Sequence, residues 1–235
     1  MKHDVLTPVV PDAIWVSERP IWFSGVRLRS RTTVVRLEDG GLFVHSAPEP
    51  TPEWCAAVDA LGDVRWLVVP NCFHHLGATA SATRYPSATL VGPQSAMRRN
   101  GDLELKLDID DDAFRSALGE LDVVPFRGCR FLDETVFFHR PTGTLVAADL
   151  MISATPRDHW TWRWAGRITG CYQRARVPPD VRKNTRPSDE VARSIERLAS
   201  LPARRLLVAH TDPIEERPLE RIADAWRFAM RSTDD

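Results

Sequence analysis

Five residues with metal-binding side chains lie at or just beyond the ends of apolar, strand-like stretches. They are His45 in "GLFVHS", His74 and His75 after "WLVVPN", Asp149 in "TLVAAD" and His210 in "LLVAH". In layered α/β folds the carboxyl ends of strands gather along one edge, where ligands usually bind. Imidazole and carboxylate together are a typical ligand set for zinc or another first-row divalent ion. A single histidine at a strand end is more often a hydrogen-bonded loop residue, so the prediction of a metal site rests on the whole set.

The adjacent pair His74–His75 makes a specific structural demand. Neighbouring residues in an extended strand point to opposite faces, so a strand could not aim both imidazoles at one point. The pair must therefore lie in a turn or in the first turn of a helix. Asn71 before the pair and Gly77 after it both suit such a turn.

Composition limits the classes of partner. The chain has 235 residues, 43% of them hydrophobic, with a formal net charge of −1, so no overall basic charge favours nucleic acid or an anionic membrane. No apolar run approaches the roughly 18 residues of a membrane-spanning helix, and we expect no membrane partner. The four cysteines are scattered, without CxxC pairs. We expect reduced thiols, a cytoplasmic location and a small-molecule substrate, and a homodimer stays open.

The elements alternate irregularly between strands and helices. "AIWV", "SGVRLRS", "TTVVRL" and "GLFVHS" are predicted as separate strands, followed by a helix near "TPEWCAAVDALG" with Thr51 as its N-cap. A helix begins at "SDEVARS", and "RRLLVAH" is a buried strand. This order predicts sheets covered by helices, an α/β or α+β layered fold in a single domain over residues 1–235.

Residues 156–187 differ from the rest in being aromatic, basic and broken by Gly and Pro. We predict an insertion or flap within the domain. Trp160, Trp162 and Trp164 alternate, which fits a half-buried strand that packs against the core. The alternative is a lid or a wall of the substrate site.

The order of the motifs resembles the metallo-β-lactamase superfamily over roughly residues 14–230. In that superfamily an Asp-bearing turn, a Thr-His-x-His-x-Asp-His block, a bridging Asp and a final His follow one another. The counterparts here are "LFVHS", "LVVPNCFHHLG", "TLVAADLM" and "LLVAHTDPIE". The resemblance implies a four-layer αββα sandwich.

The central block departs from the superfamily pattern. His75 falls on its last His and His74 on the preceding Asp, while Asn71, Cys72 and Phe73 stand where two histidines are expected. The middle His has no counterpart in "VVPFRGCRFLDE". These losses remove the family's first metal position.

The resemblance leaves a second metal position made of His74, His75, Asp149 and His210. Asp149 would also be the catalytic residue, as a metal ligand or by orienting water. His45, Asn71 and Cys72 would support the ligands from outside, although Cys72 could instead be an extra ligand or buried filler.

The implied function is hydrolysis of an ester, amide, lactone or phosphoester with one divalent metal, zinc before iron or manganese. The alternative is a non-catalytic binding or scaffold protein that keeps the fold and holds no metal if the site is vestigial. A nucleic-acid-processing enzyme is disfavoured by the near-neutral charge.

Overall fold

The computed structural model describes residues 5–230. It has two β-sheets and several helices, which confirms the predicted mixed α/β fold class. The described residues divide into two compact units: unit 1 contains 5–19, 30–123 and 139–142, and unit 2 contains 20–29, 124–138 and 143–230. A single domain over 1–235 stays a prediction, and its ends, 1–4 and 231–235, lie outside the described residues.

The strands and helices are numbered in chain order. The strands are β1 (Thr7–Val10), β2 (Ile14–Phe23), β3 (Val26–Arg36), β4 (Leu42–His45), β5 (Val64–Val68), β6 (Thr89–Gly92), β7 (Leu107–Asp108), β8 (Leu121–Pro125), β9 (Thr135–His139), β10 (Thr144–Val146) and β11 (Arg205–Leu207). The helices are α1 (Pro52–Asp59), α2 (Ala78–Arg84), α3 (Gln94–Arg99), α4 (Asp112–Ala117), α5 (Trp160–Thr169), α6 (Pro179–Lys183), α7 (Asp189–Ala199) and α8 (Pro218–Trp226). Short 3-10 turns follow β9 at Arg140–Thr142 and α8 at Arg227–Ala229.

Unit 1 contains most of a seven-stranded sheet with the order β1 to β7. The turn after Leu37 makes β3 and β4 an antiparallel hairpin, as the Asp-Gly-Gly sequence predicts. From β4 to β7 the strands run parallel, and His45 at the end of β4 pairs with Val68 at the end of β5. The loops that follow β4 and β5 therefore leave the same edge of the sheet.

Helix α1 covers this sheet. Thr51 caps it by accepting a hydrogen bond from the Trp54 N–H at 3.2 Å, which confirms the predicted N-cap. The Trp54 ring is fully buried with Leu42, Val44 and Leu67 in the main core of unit 1. Its indole N–H donates to Ser17 Oγ at 3.1 Å, so the polar atom of the ring is satisfied inside the core.

Most of unit 2 surrounds a four-stranded sheet with the order β11-β10-β9-β8. Strands β9 and β10 are neighbours joined through Arg140–Thr142. Strand β11 pairs parallel to β10. Ser188 caps α7 through the Val191 N–H, as the sequence predicts.

Two predicted elements were wrong. "SGVRLRS" and "TTVVRL" form one continuous strand, β3, which runs from Val26 to Arg36 without a break. The predicted strand at Trp160–Trp164 is helix α5. The His159 side chain caps its first turn, and Gly170 ends it in the left-handed conformation.

Gly77 is held by a close backbone approach. A Cβ built on Gly77 would lie 2.0 Å from the carbonyl carbon of Pro48 in the loop after β4. Four residues after Gly77, α2 is tied to the same loop, since Ser81 Oγ donates to the Pro48 carbonyl at 2.8 Å. The turn that carries His74 and His75 is thereby fixed to the loop after β4.

We expect Gly77→Ala to lower the free energy of unfolding by about 3 kcal/mol, because backbone atoms cannot yield as a flexible side chain can. Gly101→Ala is the control, since a Cβ there meets nothing within 4 Å. Urea unfolding of both variants checks this, and equal stability of the two would contradict the account of Gly77.

Candidate metal centre

Asp149 and His210 occupy equivalent positions on neighbouring parallel chains in unit 2. The register pairs Val146 of β10 with Leu207 of β11, and Asp149 and His210 each follow three residues later. Hydrogen bonds from Ala147 N to Leu207 O and from Ala209 N to Ala148 O continue the pairing beyond both strands. The two side chains meet with His210 Nε2 3.3 Å from Asp149 Oδ1.

A buried carboxylate fixes the backbone that carries Asp149. Glu134 is 1% exposed, and its two oxygens accept hydrogen bonds from the N–H groups of Ala148 at 2.6 Å and Asp149 at 2.9 Å. On the other side, the Trp226 indole N–H donates to the Leu150 carbonyl at 3.0 Å. The chain around Asp149 is therefore held on both sides in a defined conformation.

The other ring nitrogen of His210 determines the tautomer. His210 Nδ1 lies 2.5 Å from the carbonyl oxygen of Arg29. A carbonyl oxygen can only accept, so Nδ1 carries the proton, and a neutral imidazole then presents the lone pair of Nε2 to Asp149. Two lone pairs facing each other at 3.3 Å repel, and a cation bound between them would relieve that repulsion.

Arg29 is itself held by an ion-pair network. Its Nε and Nη2 donate to the two oxygens of Asp158 at 2.6 and 3.3 Å, and its Nη1 lies 3.1 Å from Asp212. Asp158 also accepts from the N–H and hydroxyl of Thr155. Burial raises the pKa of Asp158, but the hydrogen bonds and charge of Arg29 outweigh it and hold that pKa below its usual value.

In unit 1, His74 and His75 lie in an irregular turn between β5 and α2, as their adjacency demands. Asn71 is fully buried, and its Oδ1 accepts from the N–H groups of Phe73 at 2.8 Å and His74 at 3.0 Å. The His75 carbonyl accepts from the Ala78 N–H at the start of α2. The predicted role of Asn71 in shaping this turn is thus visible in its hydrogen bonds.

His75 is held in its neutral form. Burial first, and then the charge of the neighbouring His74, lower the pKa of His75, while the nearby carbonyls of Phe73 and Cys72 oppose the shift. Its Nδ1 is buried and has no hydrogen-bond partner among residues 5–230. A neutral imidazole with a buried ring nitrogen still to be satisfied is suited to binding a cation.

The other two predicted supporting residues are buried in unit 1. Cys72 Sγ donates to Ser95 Oγ at 3.3 Å, so its thiol has a partner within the protein. His45 ends β4 and its Nδ1 lies 3.3 Å from Ser46 Oγ. The structure therefore brings Asp149 and His210 together in unit 2. In unit 1, it places Asn71, Cys72, His74 and His75 in one turn and His45 at the end of β4.

Sequence reasoning missed Glu134, Arg29 and Asp158. Glu134 stands directly before the apolar strand β9, and an acid in contact with such a strand was a usable signal, although the preceding Asp133 shares that position type. Arg29 and Asp158 are 129 residues apart in sequence, and neither belongs to a motif.

Comparisons with known proteins bear on the fold. The chain aligns over 95% of its length with a metallo-β-lactamase from Pontibacter korlensis, covering 98% of that protein at 14% identity with a TM-score of 0.65. It aligns over 97% with a metallo-β-lactamase from Erythrobacter litoralis, covering 97% at 15% identity with a TM-score of 0.66. The chain has the metallo-β-lactamase fold.

A third enzyme of this fold is FIM-1 from Pseudomonas aeruginosa in a mono-zinc form, covered over 96% of both chains at 13% identity with a TM-score of 0.62. The family model of a domain of unknown function (DUF4336) matches residues 11–95. A search of curated proteins found no match. Among residues 5–230, no helix is both long and apolar enough to cross a bilayer.

Replacing Glu134 tests the clamp on Asp149. Gln keeps one acceptor but turns an NH₂ group towards a backbone N–H, so we expect Glu134→Gln to cost about 2 kcal/mol of unfolding free energy. The same change at the exposed Glu104 is the control, with an expected effect within about 0.5 kcal/mol. Urea unfolding of both variants decides; indistinguishable stabilities would disprove the clamp.

The Asp158–Arg29 pair predicts a specific pH dependence of stability. The pKa of Asp158 is lower in the folded than in the unfolded chain. The ion pair therefore stabilises the fold in full above the pKa of about 3.9 that Asp158 has in the unfolded chain. This stabilisation is lost as the pH falls through the lower pKa of the folded chain. We expect Asp158→Asn to cost about 3 kcal/mol at neutral pH and progressively less below about pH 4.

Chemical denaturation between pH 3 and 7 measures this difference. The control is Asp224→Asn, which removes an exposed partner of Arg227 and should change stability by less than about 0.5 kcal/mol. A loss for Asp158→Asn that does not vary with pH would contradict the ion-pair account.

Proposed function

We propose that the protein is a metal-dependent hydrolase with a single divalent ion, for which the sequence pattern supplies His74, Asp149 and His210 as ligands. The observation that carries this proposal is the Asp149–His210 pair, in which a histidine nitrogen faces a carboxylate oxygen at 3.3 Å while Nδ1 is committed to the Arg29 carbonyl. Metal-binding histidines commonly donate their other N–H to a backbone carbonyl in this way.

The donor set fits zinc. Two imidazoles and one carboxylate form a common set for catalytic zinc, which keeps a fourth position for water or substrate. A single ion is proposed because Asn71 and Phe73 cannot replace the histidines of the superfamily's first metal position, and Cys72 is hydrogen-bonded to Ser95. The mono-zinc form of FIM-1 is a precedent for this fold with one zinc.

His75 decides between the enzyme and the non-catalytic alternative. With three ligands a tetrahedral ion keeps one open position, but a fourth ligand at His75 would close it unless the ion becomes five-coordinate. The ring of His75 is neutral and its buried Nδ1 lacks a partner among the described residues, so His75 is the candidate fourth ligand of the non-catalytic alternative. His45 and Asn71 would act by fixing the turn and the adjacent loop.

The chemistry would be hydrolysis of an ester, amide, lactone or phosphoester. When bound, the ion would act as a Lewis acid that activates water at neutral pH and polarises the substrate oxygen. Asp149 would hold a water proton at its carboxylate, and Glu134 would keep that carboxylate in position. The Arg29 carbonyl would hold His210 in the tautomer that leaves Nε2 available.

The proposal places the enzyme in the cytoplasm. The four cysteines are all buried free thiols, which is compatible with a reducing compartment.

Metal content of untagged protein tests the proposal. We expect about one equivalent of zinc per chain by elemental analysis, falling to a small fraction in His74→Ala, Asp149→Ala and His210→Ala. His159→Asn is the matched control, because it removes an imidazole outside this set and Asn can still cap α5. Retention of zinc in the His210→Ala variant would contradict the proposed site.

Hydrolysis assays of the zinc-loaded protein separate the two functions. If the protein is a hydrolase, we expect turnover of at least one of an ester, lactone, amide or phosphoester substrate, and loss of that turnover in His210→Ala. Stoichiometric zinc without turnover, together with weaker zinc binding in His75→Ala, would favour the non-catalytic alternative with a closed four-ligand site.

A further inference from the structure

Helix α5 exposes a row of large apolar side chains. Trp160, Trp164 and Ile168 are spaced one helical turn apart and are 64%, 64% and 66% exposed. The opposite face of the helix is packed, since Trp162 is buried in an apolar cluster of unit 2 and a Cβ on Gly166 would lie 2.7 Å from Ala154 Cβ. The exposed row is thus a second apolar face on a helix whose core-facing side is already filled.

The tip of the β2–β3 hairpin extends this row within unit 2. Trp22 is 66% exposed and Phe23 is 47% exposed. The Trp22 ring contacts the His159 ring edge-on at 5.9 Å, and His159 is the N-cap of α5. We call Trp22, Phe23, Trp160, Trp164 and Ile168 together the α5 surface. A cluster of five such side chains is more than the scattered single residues that a protein surface normally exposes.

Arginines without acidic partners accompany the α5 surface. The segment 159–179 contains no Asp or Glu, and its four arginines are Arg163, Arg167, Arg174 and Arg176. Arg167 stacks on Tyr172 and Arg163 donates to the Pro156 carbonyl, so both are bound through neutral groups. None of the four forms an ion pair with a carboxylate of residues 5–230, whereas surface arginines such as Arg84 and Arg140 pair with Asp59 and Asp122.

We propose that the α5 surface binds the interface of an anionic phospholipid bilayer. Trp is the side chain that prefers the level of the lipid headgroups, and an amphipathic helix with aromatic and basic residues lies in that plane. Arginine side chains can lay their apolar stems along the helix and direct their guanidinium groups to lipid phosphates.

The charge pattern selects this occupant over a second copy of the chain. A two-fold interface through the α5 surface would bring the unpaired arginines of each copy towards those of the other. An anionic lipid surface supplies the missing negative charge and accepts the apolar side chains in the same contact. The sequence predicted no membrane partner because the net charge of the whole chain is −1. That total hides a locally basic segment, in which the arginines have no acidic residue among them.

Vesicle sedimentation tests the proposal on the full chain. We expect the protein to bind vesicles containing phosphatidylglycerol, with much weaker binding to pure phosphatidylcholine and a loss of binding at high salt. Trp160→Ser/Trp164→Ser and Arg163→Gln/Arg167→Gln should each weaken binding by about tenfold or more. Circular dichroism of both variants checks that the exposed substitutions leave the fold intact.

Two matched controls distinguish binding through the α5 surface from non-specific electrostatic or hydrophobic binding. Arg217→Gln/Arg221→Gln removes the same charge from α8 and its N-cap, and Leu76→Ser removes another exposed apolar side chain. Both should bind vesicles like the wild type. Absence of binding to anionic vesicles, or equal weakening in the controls, would overturn the proposal. So would a dimer in analytical ultracentrifugation that Trp160→Ser/Trp164→Ser dissociates, because the surface would then bind a second copy.

Discussion

The parallel pairing of β10 with β11 places Asp149 beside His210, and the chemistry proposed for unit 2 depends on that register. A shift by one residue would turn one of the two side chains to the opposite face of the sheet. The pairing continues past the strand ends through the Ala147 and Ala209 N–H groups. The buried Glu134 carboxylate then takes the next two N–H groups, which the sheet no longer satisfies. A polar network that is fully satisfied in this way is rigid, and rigidity is what a ligand pair requires.

The segment 20–29 serves two parts of unit 2 at once. The carbonyl of Arg29 orients His210, and the side chain of the same residue is held by Asp158 and Asp212. The preceding residue, Leu28, packs in the cluster that buries the inner face of α5. Trp22 at the tip of the same hairpin contacts the N-cap of α5. The hairpin is therefore a mechanical connection between the candidate ligand His210 and the exposed α5 surface.

Apolar runs and capping residues made much of the fold predictable from sequence. Thr51 and Ser188 begin helices as predicted, because their side chains accept hydrogen bonds from the first turn whatever packs around the helix. The turn at His74–His75 was predictable because two adjacent side chains cannot share a face in a strand. The strand predicted for Trp160–Trp164 was wrong, since a two-residue alternation of Trp does not distinguish a strand from a helix with one Trp packed inside and two outside.

The remaining features depend on contacts that a local pattern does not encode. Asp149 and His210 are predictable as strand-end residues, but their 3.3 Å contact follows from the register of two strands that lie far apart in sequence. Glu134 and Arg29 act through backbone groups of other segments, so their roles leave no spacing motif.

Anomalous diffraction at the zinc edge from crystals grown with zinc tests the central claim most directly. The account predicts one peak per chain, about 2.0–2.2 Å from His210 Nε2 and from an Asp149 carboxylate oxygen. A structure without a peak at this position, in which His210 Nε2 and Asp149 Oδ1 stay in direct contact in the presence of zinc, would contradict it.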